Sequence, residues 1–457
     1  MMVVMGSGIF RFRDHKVCET PEPSRRCGRF PLGAAPWLAG LALLVIPVGG
    51  GRAQVSYVAR FVLEKQTFLL GEPIFCKFTI ENTGARVFAF SYRTPSRALN
   101  PELEGEPHFS LREENGQPLP DPAPKPCGGA KGSAVYGLVS LPPGQVHTER
   151  WLLDQWARFS RPGRYRVRAE RRLPLRGGNA ATQEFSQEPV AYALAINELL
   201  LEVASSTETQ LRAAFQPYLR ILEKPGTSNT SEAALALTTL PQPFFLEKLV
   251  ALADAPAEER RWDRQQALEG LARLGTRAAW DEIVKMARGA TRAGTTSPGA
   301  KDTGDEVLRA YAVQLLGEKG DSAFLPPLLE MLSTGPEARR GDLLRALGFF
   351  NDPRANQVLF QSLHSPGTND RVNAILGLRN LESRDAIPAL IAMLSDPEAQ
   401  VRQVAHFALQ GLTGQEFKLS PRASRAESAR TAERWHTWWR EHGASFVPVR
   451  RAPCQDW

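Results

Sequence analysis

Between Asp385 and Leu412 the apolar residues fall in two short runs with helical spacing, DAIPALIAML and VRQVAHFALQGL, separated by the turn Ser395-Asp396-Pro397. Displaced by 31 residues, the pattern reappears over Arg354–Leu381. There Ala355, Leu359, Leu363, Pro366, Arg371, Ala374, Leu378 and Leu381 take the places of Ala386, Leu390, Leu394, Pro397, Arg402, Ala405, Leu409 and Leu412. A second displacement reaches Phe324, Leu328, Leu332, Arg340, Leu343, Leu347 and Phe350. Three units in one register define a helical array. A lone amphipathic hairpin leaves its apolar face wet, and stacking closes that face against the next hairpin.

Upstream, looser helical patterns pair Thr207–Glu223 with Ser231–Leu240, Pro243–Ala253 with Glu258–Leu274, and Ala278–Ala287 with Glu306–Leu316. The insert Arg288–Gly304 is rich in Gly, Thr and Ser and is expected to be exposed and mobile. A final helix starts at Ser424, whose S-x-x-E spacing to Glu427 predicts a capping box. Gly443 is expected to end it in the left-handed conformation.

Residues 54–196 carry a different pattern. Val55–Leu63, Pro73–Glu81, Val87–Tyr92, His108–Arg112, Ala134–Leu138, His147–Leu153, Gly163–Arg168 and Glu188–Ile196 are short runs of β-branched and aromatic residues with partial alternation. Asn82-Thr83-Gly84, Pro142-Pro143-Gly144 and Pro162-Gly163 turn the chain, and Pro118–Gly132 reads as a long loop. Short strands at this spacing predict a β-sandwich.

Ahead of it lies a leader. Arg25, Arg26 and Arg29 precede the apolar run Pro36–Val48, and small residues follow to Ala53. This order predicts a secretory signal peptide cut near Ala53–Gln54 and a mature chain in the periplasm or outside the cell. The run is shorter than the roughly 20 apolar residues of a membrane span. The expected division is a leader over 1–53, a sandwich over 54–196, repeats over 197–417, a capping helix over 418–443 and a tail over 444–457.

Composition is that of an ordinary globular protein, with 42% hydrophobic and 23% charged residues in a chain of 457. The net charge of +7 changes little, because the leader's seven basic and three acidic residues leave only +3 for the rest. That argues against a nucleic-acid partner. Cys18 and Cys27 lie in the leader, whereas Cys76, in a predicted strand, Cys127 and Cys454 remain; Cys76 and Cys127 read either as a disulfide in an oxidising compartment or, as preferred, as unpaired thiols. No CxxC or Cys/His spacing calls for a metal, and no cofactor is expected.

The candidate residues are those that recur. Arg309, Arg340, Arg371 and Arg402 occupy one phase, with Arg264 a looser equivalent. They read either as a basic ladder for an acidic ligand or, as preferred, as anchors for turn carboxylates and carbonyls such as those at Asp396. Leu390, Leu394, Ala405 and Leu409 supply the shared core, the small Ala letting helices approach. Trp435, Trp438 and Trp439 form one aromatic face that is expected to cap the array's open end, in preference to a ligand-stacking site. Trp151 and Trp156 are expected in the sandwich core in preference to a carbohydrate platform. His406, His436 and His442 are expected at the surface.

The turn Asp396-Pro397 followed by Val401-Arg402 and Ala405 resembles HEAT repeats, nearest the short bacterial subtype of phycobilisome-lyase-like proteins. The resemblance spans roughly residues 200–415, Leu343 and the insert being departures from it. It implies a right-handed superhelix serving as a docking surface, with Arg at the ladder position. The stretches LLGEPIFCKFTIENTG and LPPGQVHTERWLLDQWARFSRPGRYRVRAE resemble Ig-like modules of exported bacterial proteins. Together these imply a non-enzymatic protein-binding or scaffold protein of unknown partner and oligomeric state. One alternative makes the sandwich a protease inhibitor or glycan-binding module with the solenoid as spacer. A bilin lyase-like enzyme is also implied by the resemblance, although the repeats hold no cysteine.

Overall fold

A computed structural model describes residues 55–93, 105–122, 136–179, 184–223, 230–255, 257–289 and 303–448. The leader, Cys127, most of the Pro118–Gly132 loop, most of the insert and the tail beyond 448 lie outside the described residues.

The N-terminal region is β-rich, with strands β1 (Tyr57–Leu63), β2 (Thr67–Leu69), β3 (Phe75–Asn82), β4 (Phe88–Arg93), β5 (Pro107–Glu113), β6 (Tyr136–Leu141), β7 (Val146–Leu152), β8 (Gly163–Asn179), β9 (Glu184–Phe185) and β10 (Ala191–Ala204). One sheet has the order β1-β3-β7; the other runs β2-β10-β8-β4-β6, with β5 and β9 also on β8. Alternation in β3 buries Cys76, Phe78, Ile80 and Asn82 on a single face. Phe61 meets Phe78 at 5.0 Å and, across to the second sheet, Phe109 at 5.5 Å edge-on. The two sheets thus share one core.

That core contains a buried ion pair. Arg171 of β8 donates to Glu149 of β7 at 2.7 Å, with the two side chains 3% and 1% exposed. Trp151 Nε1 donates to the same carboxylate at 3.1 Å, and the Arg171 guanidinium lies 4.5 Å from the Phe78 ring centre. Burial works to raise the Glu149 carboxyl, but His147 and Arg171 outweigh it and hold the group below its ordinary range. Trp151 is buried against the half-buried Trp156, so the pair fills the core. Cys76 is a buried thiol pushed up to about 12 by desolvation, which keeps it from reacting as thiolate at neutral pH.

Two boundaries differ from expectation. β8 continues past Arg168 to Asn179, and β10 runs to Ala204, so the expected division at 196/197 falls inside a strand. Leu199, Leu201 and Val203 pair with Val167, Tyr165 and Gly163, and β2 closes parallel on the end of β10. The local composition NELLLE favours a helix; cross-strand pairing overrides it.

The helical half comprises α1 (Glu208–Leu222), α2 (Thr230–Thr239), α3 (Leu246–Ala253), α4 (Ala257–Leu274), α5 (Arg277–Arg288), α6 (Thr303–Lys319), α7 (Leu325–Thr334), α8 (Arg340–Leu347), α9 (Pro353–Ser362), α10 (Thr368–Leu381), α11 (Ala386–Ala392), α12 (Ala399–Thr413) and α13 (Arg425–His442). Leu328, Leu359 and Leu390 are all fully buried in one continuous core, as are Leu347, Leu378 and Leu409. Each such side chain contributes about 1.5–3 kcal/mol by burial. Closest approach between second helices runs through glycine. A Cβ at Gly348 would lie 2.0 Å from the Gly377 carbonyl oxygen, and one at Gly317 would lie 2.9 Å from Ala346.

The capping box at Ser424 and Glu427 forms in both directions. Gly443, however, has φ −60 and is not left-handed. Its lack of a side chain is needed instead because a Cβ would lie 2.5 Å from the Trp439 carbonyl oxygen and 2.9 Å from the Trp439 ring. The β region joins the helices at Phe75 and Leu152, which pack on Leu235, Ala236 and Tyr218. Arg150 of β7 bonds both Glu64 and Glu232 of α2, its guanidinium 4.3 Å from the Phe75 ring centre.

Close to this junction Asp154 is buried after β7, accepting from Ile74 N at 2.9 Å. Desolvation raises its carboxyl from 3.8 to about 7. Because folding disfavours its ionisation, the group destabilises the fold increasingly as pH rises from about 4 to about 7, and by a constant amount above. Asp154→Asn keeps the acceptor without the charge. Its unfolding free energy from urea titration should exceed the parent's at pH 8, by about 2–4 kcal/mol, with the gap closing by pH 4.

Candidate functional site

The repeated arginines share one phase of the 31-residue register, Arg340, Arg371 and Arg402 in the first turns of their second helices and Arg309 one turn further into α6. Arg371 is 8% exposed and makes four bonds. Its Nε and Nη2 donate to the two oxygens of Asp396 at 2.8 and 3.0 Å, and Nη1 donates to the carbonyls of Ser365 and Pro366 at 2.9 and 3.0 Å. One planar fork therefore closes its own hairpin turn and grips the turn of the next. The Asp396 carboxylate in return raises the guanidinium further above its ordinary value.

Arg340 and Arg402 also bond both their own hairpin and the element that follows, whereas Arg309 pairs within its own helix and approaches the next. Arg340 donates to Asp370 at 2.9 Å and to the Leu332 carbonyl at 3.3 Å. Arg309 pairs with Glu306 at 3.0 Å and lies 3.7 Å from Asp342. Arg402 donates to the carbonyls of Asp396 and Pro397, both at 2.9 Å, and to Ser428 of α13 at 3.2 Å. Arg264 donates to the Ala253 carbonyl at 2.9 Å. Arg309, Arg340, Arg371 and Arg402 are brought into one relay along the array, and their charges face protein.

At the end of the array α13 stands where another repeat would. Trp435 is fully buried, edge-on to Phe417 at 4.6 Å and to Trp438 at 5.8 Å. Trp438 and Trp439 are half-buried; both contact Phe446, and His442 stacks on Trp438 at 5.3 Å. His406 is not at the surface as expected. It is 5% exposed and accepts from Trp435 Nε1 at 3.4 Å, and burial pushes its titration down so that the ring stays neutral. Nothing in its own repeat signals this, because the tryptophan that covers it comes from outside the register. His436 and His442 are exposed.

The row left open on the second helices was not singled out by sequence. Gln314, Arg345, Leu376 and Phe407 occupy equivalent positions 31 residues apart, five beyond each ladder arginine. Gln314, Arg345 and Phe407 are exposed and Leu376 is half-buried. Phe407 is 54% exposed, with the Arg379 guanidinium 4.3 Å from its ring centre. The signal was present in the register but carried by unlike residues, so no repeated letter marked it. Among the described residues no cluster of three His, Cys, Asp or Glu could hold a metal, and no helix is long and apolar enough to cross a membrane.

A family model described as PBS lyase HEAT-like repeat matches residues 370–396, from the Arg340 acceptor to the Arg371 acceptor. No curated protein matches. Among solved structures, a designed armadillo repeat protein, YIII(Dq)4CqI, is similar at 17% identity with a TM-score of 0.26, over 45% of this chain and 94% of that one. A beta-glucosidase from Listeria innocua in complex with glucose is similar at 13% identity and a TM-score of 0.17, over 34% of this chain and 17% of its own. A Salmonella alpha-2-macroglobulin mutant is similar at 13% identity and a TM-score of 0.21, over 83% of this chain and 27% of its own. The chain therefore spans only a small part of the glucosidase and of the macroglobulin. The helical half contains HEAT-like repeats, as the family match and the arginine relay agree.

Arg371→Ala should strand the Asp396 carboxylate and two turn carbonyls. The expected loss is about 3–5 kcal/mol, read as faster amide exchange over α11 and α12. Arg371→Lys should recover little, because an ammonium cannot reproduce the fork.

Proposed function

We propose that this chain is an exported, non-enzymatic scaffold, an Ig-like sandwich followed by a superhelical solenoid, that binds a protein partner along the open row of its second helices. The observation that carries this is the row itself. The buried arginines fix the rotation of each second helix, and the positions that rotation turns outward are Gln314, Arg345, Leu376 and Phe407. An aromatic ring under a guanidinium, beside an aliphatic side chain, is the composition of an interface anchor. Export is supported by the basic, apolar and small-residue order of the leader.

A lyase keeps one support, the description of the family whose model matches 370–396. Against it, that segment holds no cysteine, and its buried carboxylates Asp370 and Asp396 are both taken by arginines. A tetrapyrrole absorption band in the purified protein would favour the lyase.

The test is crosslinking in the native cell followed by identification of the attached proteins. The parent chain should recover a reproducible partner and should itself begin near Gln54. Phe407→Ser, at a side chain 54% exposed, should cut recovery, consistent with the loss of about 2 kcal/mol or more typical of an anchor, at unchanged melting temperature. Recovery without a reproducible partner, or undiminished in the Phe407→Ser variant, would remove this reading.

A further inference from the structure

The second surface lies on the β region. Along β10, side chains alternate between faces, and Ala193, Ala195, Leu201 and Val203 point into the core. The opposite face carries Tyr192, Leu194, Ile196 and Leu200, which are 38%, 56%, 49% and 65% exposed. A strand apolar on both faces is the pattern of one covered on both sides, yet this face is open among the described residues. Scattered exposed apolar residues are ordinary, whereas four on one face of one strand, interrupted there only by Glu198, are not.

The neighbouring strand supplies the chemistry of the cover. In register beside the column, β8 presents Arg172, Glu170, Arg168, Arg166 and Arg164 opposite Leu194, Ile196, Glu198, Leu200 and Glu202, with Arg168 also 3.9 Å from Glu198. All four arginines are exposed. Arg168 is paired with Glu170, and Arg164 lies 3.7 Å from Glu114. Arg166 and Arg172 make no ion pair among the described residues, although Arg172 stacks over the Tyr192 ring at 4.0 Å. The next strand, β5, adds the exposed Arg112 opposite Arg166. The face is thus an apolar column flanked by a basic one.

We infer that this face docks an acidic amphipathic helix of a protein partner, its apolar stripe on Tyr192, Leu194, Ile196 and Leu200 and its carboxylates against Arg166 and Arg172. A helix laid on a sheet is the usual second layer, and its width covers two strands. From Tyr192 to Leu200 is roughly 27 Å of strand, the length of a helix of about 18 residues. Glu198 and Glu202 stand within the column, where they would oppose an anionic bilayer or a nucleic acid. A helix can place an alanine or lysine over them.

The test titrates the full-length protein against a fluorescent synthetic peptide of about 18 residues, with leucines along one stripe and glutamates beside them. Micromolar binding that weakens with salt is expected. Leu194→Ser with Leu200→Ser, and separately Arg166→Glu with Arg172→Glu, should each weaken it about tenfold or more. Both pairs are exposed, and a melting curve matching the parent's checks the fold. A peptide with lysine for glutamate needs no variant and should bind about tenfold or more weakly. Equal binding of the lysine peptide, or no binding of the glutamate peptide, overturns the inference. So does binding to phosphatidylglycerol vesicles in place of the peptide. Self-association dissolved by the leucine substitutions would also overturn it, by assigning the face to a second copy.

Discussion

One interaction organises the helical half: a guanidinium that bonds the carbonyls of its own hairpin turn and a polar group of the next. Its value is less in net stability than in registry. A buried arginine–aspartate pair of this kind recovers little beyond its own desolvation, and most of the stabilisation comes from the leucines that consecutive hairpins bury in common. Apolar contacts are tolerant of rotation and sliding, whereas the fork of Arg371 on Asp396 is satisfied in a single geometry. Since Arg340, Arg371 and Arg402 each bond both their own hairpin and the element that follows, the outward positions of the second helices fall into a row. The same bond that makes the ladder unavailable as a basic surface is what aligns Arg345, Leu376 and Phe407.

The relay also explains how the array stops. Arg402 makes the contacts to its own turn that Arg371 makes, but its onward bond goes to Ser428 of the last helix. A helix without the repeat's sequence thereby takes the place of the next repeat, and Trp435 fills the volume a repeat's leucines would occupy. Burying His406 neutral against that indole is compatible with a core position, where a charged imidazolium would not be.

Legibility followed the range of the interaction. The 31-residue period was plain because each unit satisfies the same local rule, and the capped helix start at Ser424 with Glu427 was read from adjacent residues. What depended on a distant partner was not. The extension of β10 to Ala204 required knowing that β8 lies alongside it, and the buried state of His406 required Trp435. Gly348 and Gly443 look alike as letters. The first is needed for a backbone 2.0 Å from a virtual Cβ, the second for a carbonyl oxygen and an indole ring, and neither for a positive φ. The open row was hidden for a different reason: its register is regular, but exposure leaves residue type unconstrained, so Gln, Arg, Leu and Phe share one position.

The β region obeys the same economy of polar groups in its interior. Glu149 and Arg171 come from different sheets, and their pairing, with Trp151 as third partner, fixes how the sheets lie on each other much as the arginine fork fixes the hairpins. Arg150, one residue before that tryptophan, points the other way and ties β7 to α2. Alternation along a single strand therefore sends one side chain into the core shared by the two sheets and its neighbour into the junction.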